Sequence, residues 1–415
     1  MDKIVIIGAG RAGVHAAFAL REQGFNGRIT VLNEEPVCPY DRPPLSKQVL
    51  LGEQVLSDIE LKRPEAYANA DIGIASGCHA VQIDREQQVV QTSDGKVWPY
   101  DKLLVATGGA PRKLPKHIDP HCCVNYLRTS RDAYELQQAL FAFSQQTSSK
   151  GKVAIIGAGV IGLEVAAVAN QLGLDVTVIE RAGRIMSRLL PLPLSRAVQS
   201  YHEQKGVLFH LSTEVNAVEL HNGSAQLILA DGSPLKADII VAGLGMLPET
   251  EIAQQAGVHV QGGIVTSAYG QTSDEAIYCA GDVSHFYHPV FDDYVQVESW
   301  QHAQLHGENA AMNILGKNEP YKAIPWMWSD QYDRNLQVAG MPGLADSCVF
   351  RDVGEGNLLA MALKGKVLVG AIGFGNTKIG KEIRIAQKLI EKQAVIPRAL
   401  LQPAEMKLKP LLKLL

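Results

Sequence analysis

The sequence predicts an α/β protein with two Rossmann-type nucleotide-binding domains, followed by a smaller C-terminal α+β domain. Three observations carry that prediction. A short apolar run near the N-terminus leads into a glycine-rich turn and then a helical stretch. The same arrangement returns roughly 150 residues later. After Pro325 the pattern changes to alternating strand-like runs closed by a helix.

The first copy begins with Lys3–Ile7, the length and composition of a buried strand. Gly8-Ala9-Gly10-Arg11-Ala12-Gly13 forms the turn, and a helix is expected through about Glu22. The next strand, Arg28–Leu32, ends at Asn33-Glu34-Glu35. In the second copy the strand is Lys152–Ile156 and the turn is Gly157-Ala158-Gly159-Val160-Ile161-Gly162. A helix is expected to about Leu172, and the strand Asp175–Ile179 ends at Glu180. Three further segments read as buried strands running into tight turns: Lys102–Gly108, Ala237–Gly243 and Ala276–Asp282. The C-terminal stretch opens with Pro325-Trp326-Met327-Trp328 and closes with a helix from about Lys378 to Lys392. Two copies at this wide spacing describe two domains and not a solenoid.

A glycine triplet alone is weak evidence, but each copy here has a strand before it, a helix after it and an acid at the end of the second strand. In that setting the glycines permit a tight turn and let backbone N–H groups reach a pyrophosphate at a helix N-terminus. Gly8, Gly10 and Gly13 serve the first nucleotide, and Gly157, Gly159 and Gly162 the second. The terminal acid accepts hydrogen bonds from ribose hydroxyls. Glu34 and Glu35 are both candidates in the first copy, with Glu35 favoured; in the second it is Glu180. A carboxylate at Glu180 repels a 2′-phosphate, so NADH is expected over NADPH. Arg181, Arg184 and Arg188 follow closely and bear on how strict that preference is. A turn that merely packs a helix on a sheet would not require the coincidence of all four features.

The bulk properties have the balance of a soluble globular protein and give no support to several other classes. The chain has 415 residues, 46% hydrophobic and 20% charged, with a net charge of −4, so it has no basic excess for a nucleic-acid partner. The run from Met1-Asp2-Lys3 into Ile4–Ile7 is too short for a secretory leader, and no stretch is long enough for a membrane span. Cys38, Cys78, Cys122, Cys123, Cys279 and Cys348 form no C-x-x-C pair, so neither a metal site nor a redox dithiol is expected, and a reducing cytoplasm is the expected compartment. The vicinal Cys122-Cys123 reads as packing.

The segment Pro39-Tyr40-Asp41-Arg42-Pro43-Pro44-Leu45-Ser46-Lys47, taken with the two fingerprints and Tyr278-Cys279-Ala280-Gly281-Asp282, resembles the flavoprotein ferredoxin reductases that serve aromatic-ring dioxygenases and bacterial cytochromes P450. Val297-Glu298-Ser299-Trp300 and Trp326-Met327-Trp328-Ser329-Asp330-Gln331-Tyr332 extend the likeness along the chain. The resemblance implies a glutathione-reductase-like fold. It implies an FAD-binding domain from 1–108 and 241–322, an NAD-binding domain at 109–240, and a C-terminal reductase domain at 323–415. It implies that Ala12, Lys47, Val81, Arg128, Asp282 and Trp300 touch FAD, as do Arg42, Thr107, Gly108 and Trp328. Val160, Ile161, Arg188 and Gly245 are assigned to NAD. Glu164, in the first turn of the second fingerprint helix, is implied to face Lys47 beside the reacting rings, the two acting together as the catalytic pair. Its plainer reading is a carboxylate near a helix N-terminus. Two positions depart from the pattern: Thr266-Ser267 stand where relatives often carry a carboxylate, and Met327 where an aromatic is common.

The implied activity is that of a ferredoxin–NAD(+) reductase. FAD takes two electrons from NADH and passes them singly to a [2Fe–2S] ferredoxin, which feeds a terminal oxygenase, a Rieske dioxygenase ahead of a P450. A disulfide reductase would need a cysteine pair soon after the first fingerprint, and Cys38 stands alone there. Lys381, Arg384, Lys388 and Lys392 recur at helical spacing and suggest a basic docking face for an acidic ferredoxin, against the plainer reading of a solvated helix face. The alternatives are a rubredoxin or general carrier reductase, an NADH oxidase, and a non-catalytic redox-sensing flavoprotein resembling apoptosis-inducing factor.

Overall fold

The computed structural model describes residues 1–146, 149–221, 224–402 and 408–413. The expected ranges 109–240 and 323–415 therefore each include a few positions outside the described residues. The chain forms two compact units: Met1–Asp41, Leu56–Ala110 and Leu247–Pro325 in the first, and Arg42–Val55, Pro111–Met246 and Trp326–Leu415 in the second. The segment that carries Lys47 thus folds with the second unit, although in sequence it interrupts the first.

The first unit is built on a five-stranded parallel sheet. Its order is Ile277–Cys279, Lys102–Val105, Lys3–Ile7, Arg28–Asn33, Ile72–Ser76. Lys3–Ile7 lies at the centre, and Ile4, Val5, Ile6 and Ile7 are all buried, as a parallel strand covered on both faces requires. The helix Arg11–Glu22 buries Ala12, Val14, Ala16, Ala17, Ala19 and Leu20 and packs against the helix Trp300–Ile314. That approach depends on Gly307, where a Cβ would sit 2.2 Å from the Ala12 carbonyl oxygen. A three-stranded antiparallel sheet, Ala80–Asp84, Val89–Thr92 and Val97–Pro99, completes the crossover back to Lys102–Val105.

The second unit repeats the parallel sheet in the order Leu208–Leu211, Asp175–Glu180, Lys152–Ile156, Ile239–Ala242, Val124–Asn125. Its helix Val160–Gln171 is buried from Gly162 to Ala169, which suits a segment with apolar residues on every side. The same unit holds a five-stranded antiparallel sheet, ordered Trp326–Gln331, Arg334–Gly340, Val367–Gly375, Leu358–Lys364, Ser347–Asp352. The helix Ile379–Glu391 packs on it through Ile379, Ile383, Ala386, Leu389 and Ile390.

The first and second strands of each predicted repeat are present, as are both fingerprint helices. The later segments run as the strands Lys102–Val105, Ile239–Ala242 and Ile277–Cys279 into their turns, with Gly108 (φ 73°) and Gly281 (φ 82°) in the left-handed region. One expectation needs correcting. Cys123 packs beside Val124 in an apolar cluster, but Cys122 is exposed, on a left-handed backbone (φ 54°) that turns its side chain out of that cluster. Among the described residues no helix is long and apolar enough to cross a membrane.

Candidate functional site

Two of the three glycines in each fingerprint are explained by what a side chain would meet. Gly8 has φ +104°, and a Cβ there would lie 2.3 Å from the Ala106 carbonyl oxygen. At Gly13 a Cβ would lie 2.0 Å from the Gly8 carbonyl oxygen, so this glycine lets the helix close onto the turn. Gly10, the residue just before the helix, differs: a Cβ there meets nothing within 4 Å. The second copy repeats the set. A Cβ on Gly157 (φ +100°) would lie 2.5 Å from the Gly243 carbonyl oxygen and one on Gly162 2.2 Å from the Gly157 carbonyl oxygen, while one on Gly159 would meet only the Gly243 oxygen, at 3.8 Å. Two glycines per turn serve packing. The third leaves its N-cap open to the side where a pyrophosphate would meet the helix N-terminus.

The acids at the strand ends differ between the copies. Gly8 N–H donates to Leu32 O and Gly157 N–H to Ile179 O, and the strand registers agree. Asn33 is therefore the structural counterpart of Glu180. Asn33 is buried and donates from Nδ2 to Val37 O at 2.8 Å, which ties the loop after the strand back to its end. Glu34, one residue on, is exposed and pairs with His79 at 3.1 Å; Glu35 accepts from the Tyr40 hydroxyl at 2.7 Å. Glu180 is held at both oxygens, by Ala158 N–H at 2.8 Å and Ala182 N–H at 2.7 Å. Of the three nearby arginines, Arg184 is spent on the carbonyls of Ser187 and Leu190, and Arg181 pairs with Glu214 at 3.7 Å. Arg188 is exposed, with Nη2 3.6 Å from where a Cβ on Gly245 (φ +92°) would stand.

Within the first unit, Ala12, Gly281 and Gly307 meet, and a Cβ on Gly281 would lie 3.0 Å from the Ala12 Cβ. Asp282 follows Gly281 (φ +82°) at the end of its strand and is half-buried. Thr107 Oγ1 donates to Glu249 O at 2.8 Å, and Gly108 O accepts from Glu249 N–H at 3.0 Å. Val81, 41% exposed, stands at the pairing irregularity between Ala80 and Gln82, which turns it out of the ladder. Trp300 belongs to a cluster that sequence reasoning missed: its indole N–H donates to Asp41 at 3.0 Å, and the Arg11 guanidinium lies 3.2 Å from its ring centre. Arg11 also pairs with Asp41 at 2.8 Å and donates to Gln304 at 2.6 Å.

Within the second unit the pair Lys47 and Glu164 is formed, with Nζ 3.2 Å from Oε1. Glu164 is only 3% exposed. Ser329 donates its hydroxyl to Oε1 at 2.6 Å and Ser46 to Oε2 at 2.5 Å. Burial pushes the carboxyl above its ordinary range, opposed by the charge of Lys47 and by the two hydroxyls. Lys47 also lies 4.0 Å from Asp330 and 5.8 Å from the Trp328 ring centre, and Trp328 stacks on Trp326 with centroids 5.2 Å apart. Trp328 Nε1–H reaches Asp330 at 3.3 Å, leaving Met327 to pack inward beside the core. Ser46, Ser329 and Asp330 were not singled out from the sequence, although both motifs containing them were. Arg42 donates to Arg128 O at 3.1 Å, and Arg128 precedes a capping box in which Thr129 and Asp132 bond reciprocally. Val160 is half-buried, and Ile161 is 44% exposed on the open side of its turn.

Residues 2–307 match the family model described as pyridine nucleotide-disulphide oxidoreductase, and residues 326–412 match the model described as reductase C-terminal. The chain is 37% identical, over 95% of its own length and 95% of the relative's, to the ferredoxin–NAD(+) reductase component of the anthranilate 1,2-dioxygenase system of Burkholderia cepacia. It is 38% identical to a rubredoxin–NAD(+) reductase of Pseudomonas putida, over 81% of this chain and 86% of that one. Among solved structures it is similar to the covalent putidaredoxin reductase–putidaredoxin complex, with a TM-score of 0.92, 32% identity, and coverage of 100% of this chain and 98% of that chain.

Proposed function

The chain belongs to the pyridine nucleotide-disulphide oxidoreductase family, and from that premise we propose that it is an FAD-dependent reductase that oxidises NADH and delivers electrons singly to a [2Fe–2S] ferredoxin serving an oxygenase. The observation that carries this reading is the pair of fingerprint turns, each with an N-cap glycine open on the side of the helix N-terminus, which supports a dinucleotide pyrophosphate there. The ferredoxin reductase component matched over 95% of both chains supports the choice of partner.

FAD, when bound, supplies the conversion from a two-electron donor to a one-electron acceptor. The remaining work falls to the protein. Gly8, Gly10, Ala12 and Gly13 shape the first pyrophosphate site. Glu34 or Glu35, Arg42, Val81, Thr107, Gly108, Arg128, Asp282, Trp300 and Trp328 complete the flavin contacts. Gly157, Gly159, Val160, Ile161, Gly162, Arg188 and Gly245 receive the nicotinamide dinucleotide. Glu180, fixed by two backbone amides, accepts from a ribose hydroxyl and repels a phosphate in its place. Lys47 and Glu164 form a rigid, water-poor polar edge that orients the nicotinamide, since positioning is what this transfer demands. None of the chain's six cysteines is needed; Cys38 is half-buried and its thiol is pushed up by burial, away from the reactive thiolate.

The exposed positions Lys381, Arg384, Lys388 and Lys392 are proposed to meet the acidic carrier. The test is steady-state NADH oxidation with a panel of carriers: [2Fe–2S] ferredoxins, a rubredoxin and none. Fast turnover with a ferredoxin supports the reading. Turnover with the rubredoxin alone favours the carrier named in the second relative, and turnover to oxygen without carrier removes the proposal.

A further inference from the structure

The two serines on Glu164 are the near end of a longer chain. Gln331 Nε2 donates to Ser329 Oγ at 2.8 Å, and Gln331 Oε1 meets His202 Nε2 at 2.8 Å. Ser329, Gln331 and His202 are all fully buried. With the Gln331 amide placed so that Oε1 faces His202 and Nε2 faces Ser329, the direction of every bond follows. An amide oxygen only accepts, so His202 carries its proton on Nε2. An amide nitrogen only donates, so the Ser329 oxygen accepts there, and its single proton points to Glu164.

We propose that His202 and Gln331 are positioning residues for the nicotinamide site: acting through Ser329, they hold Glu164 as an ionised, acceptor-only carboxylate. This rests on the role given to Glu164 above. A protonated Glu164 must donate to one of its partners. Lys47 and Ser46 are already turned toward it as donors, and the Ser329 oxygen is occupied by the Gln331 amide. Protonation therefore requires part of a buried network to reverse, and such networks strengthen each other's bonds. The charged and titratable groups around the chain are few. Lys47 faces Glu164, with Asp330 4.0 Å from Lys47. His202 packs edge-on to Phe209 and Tyr332, with Lys205 over the Tyr332 ring and Tyr201 and Asp333 beyond. Burial drives the His202 pKa down to about 4, so the imidazole stays neutral through the working range and its proton stays committed to Gln331.

The test follows the ionisation of Glu164 directly, by 13C-carboxyl NMR of glutamate-labelled, flavin-loaded protein. The resonance is assigned by its absence in Glu164→Gln, and the pH profile of flavin bleaching by NADH is recorded alongside. Ser329→Ala should raise the Glu164 midpoint by about one to two pH units, the worth of one charge-assisted hydrogen bond. Gln331→Met should raise it less, and His202→Leu less again. His202→Gln, which can keep an N–H for Gln331, should return it to the wild-type value. The Gln331→Met/His202→Leu double variant should match Gln331→Met alone, because the imidazole acts only through the amide. Wild-type midpoints in Gln331→Met and His202→Leu, or additive shifts in the double variant, overturn the proposal. If Gln331→Met does not fold, His202→Leu and its His202→Gln rescue carry the same decision. Failure of the underlying reading looks different: Glu164→Gln would then bleach at the wild-type rate with the wild-type profile.

Discussion

Replacing Glu180 by Gln tests cofactor choice with little change in shape. In the native chain both carboxylate oxygens accept backbone amides, from Ala158 at 2.8 Å and Ala182 at 2.7 Å. A glutamine can accept only one of them and turns its own N–H₂ toward the other, so the variant loses one charge-assisted bond and weakens the second. The hydroxyl of a bound ribose loses an ionised acceptor, about 1.5–3 kcal/mol, or roughly ten- to a hundred-fold in kcat/KM for NADH. A 2′-phosphate near the native carboxylate is opposed by about 4 kcal/mol per charge pair at 4 Å in a surface environment, an upper bound near a thousand-fold. Removing that charge should therefore raise kcat/KM for NADPH while lowering it for NADH. The assay is kcat/KM for both cofactors with ferricyanide as acceptor, which bypasses the protein partner. If Glu180 serves only to brace the turn, the variant lowers Tm but leaves the NADH/NADPH ratio unchanged. That ratio, held constant, would refute the assignment.

Further expectations follow from the same contacts. Gly10→Ala has room for its methyl in the protein and an ordinary φ of −70°. It should therefore keep the wild-type circular dichroism and Tm within a few degrees, while flavin content after purification falls sharply. Gly13→Ala drives a Cβ into the Gly8 carbonyl and should cost about 1–3 kcal/mol or more by chemical denaturation. His306 and His302 are fully buried; burial lowers the His306 pKa to about 3 and that of His302 well below its ordinary value. The folded state therefore binds fewer protons than the unfolded one below about pH 6.5, and stability falls with acidification by up to about 1.4 kcal/mol per pH unit for each. Urea unfolding at pH 7.5 and pH 5.0 measures this slope, which His306→Gln should make shallower. Charge reversal at Lys381 and Arg384 should slow ferredoxin reduction and weaken its salt dependence, with NADH–ferricyanide turnover unchanged.

The sequence carried local features well and tertiary ones poorly. Both turns, their helices and Glu180 were legible because strand, glycine spacing and acid lie within one βαβ unit. The clamp on Glu164 was not, since Ser46 and Ser329 are 118 and 165 residues away and meet it only after folding. The Arg11, Asp41 and Trp300 cluster is hidden for the same reason, although each of its members lies in a motif that was noticed. Nor does residue order show that Arg42–Val55 leaves the unit on either side of it, because that depends on what Leu50 and its neighbours pack against. The acid of the first repeat shows the limit of counting. Asn33 takes the place of Glu180, and its bond to Val37 ties back the loop that carries Glu34 and Glu35.

An anaerobic titration reaches the centre of this account most directly. The purified chain should be yellow, one NADH should bleach one flavin, and each bleached flavin should then reduce two equivalents of [2Fe–2S] ferredoxin. Protein that stays colourless after incubation with FAD, or that is bleached by NADH yet leaves every ferredoxin oxidised, would contradict it.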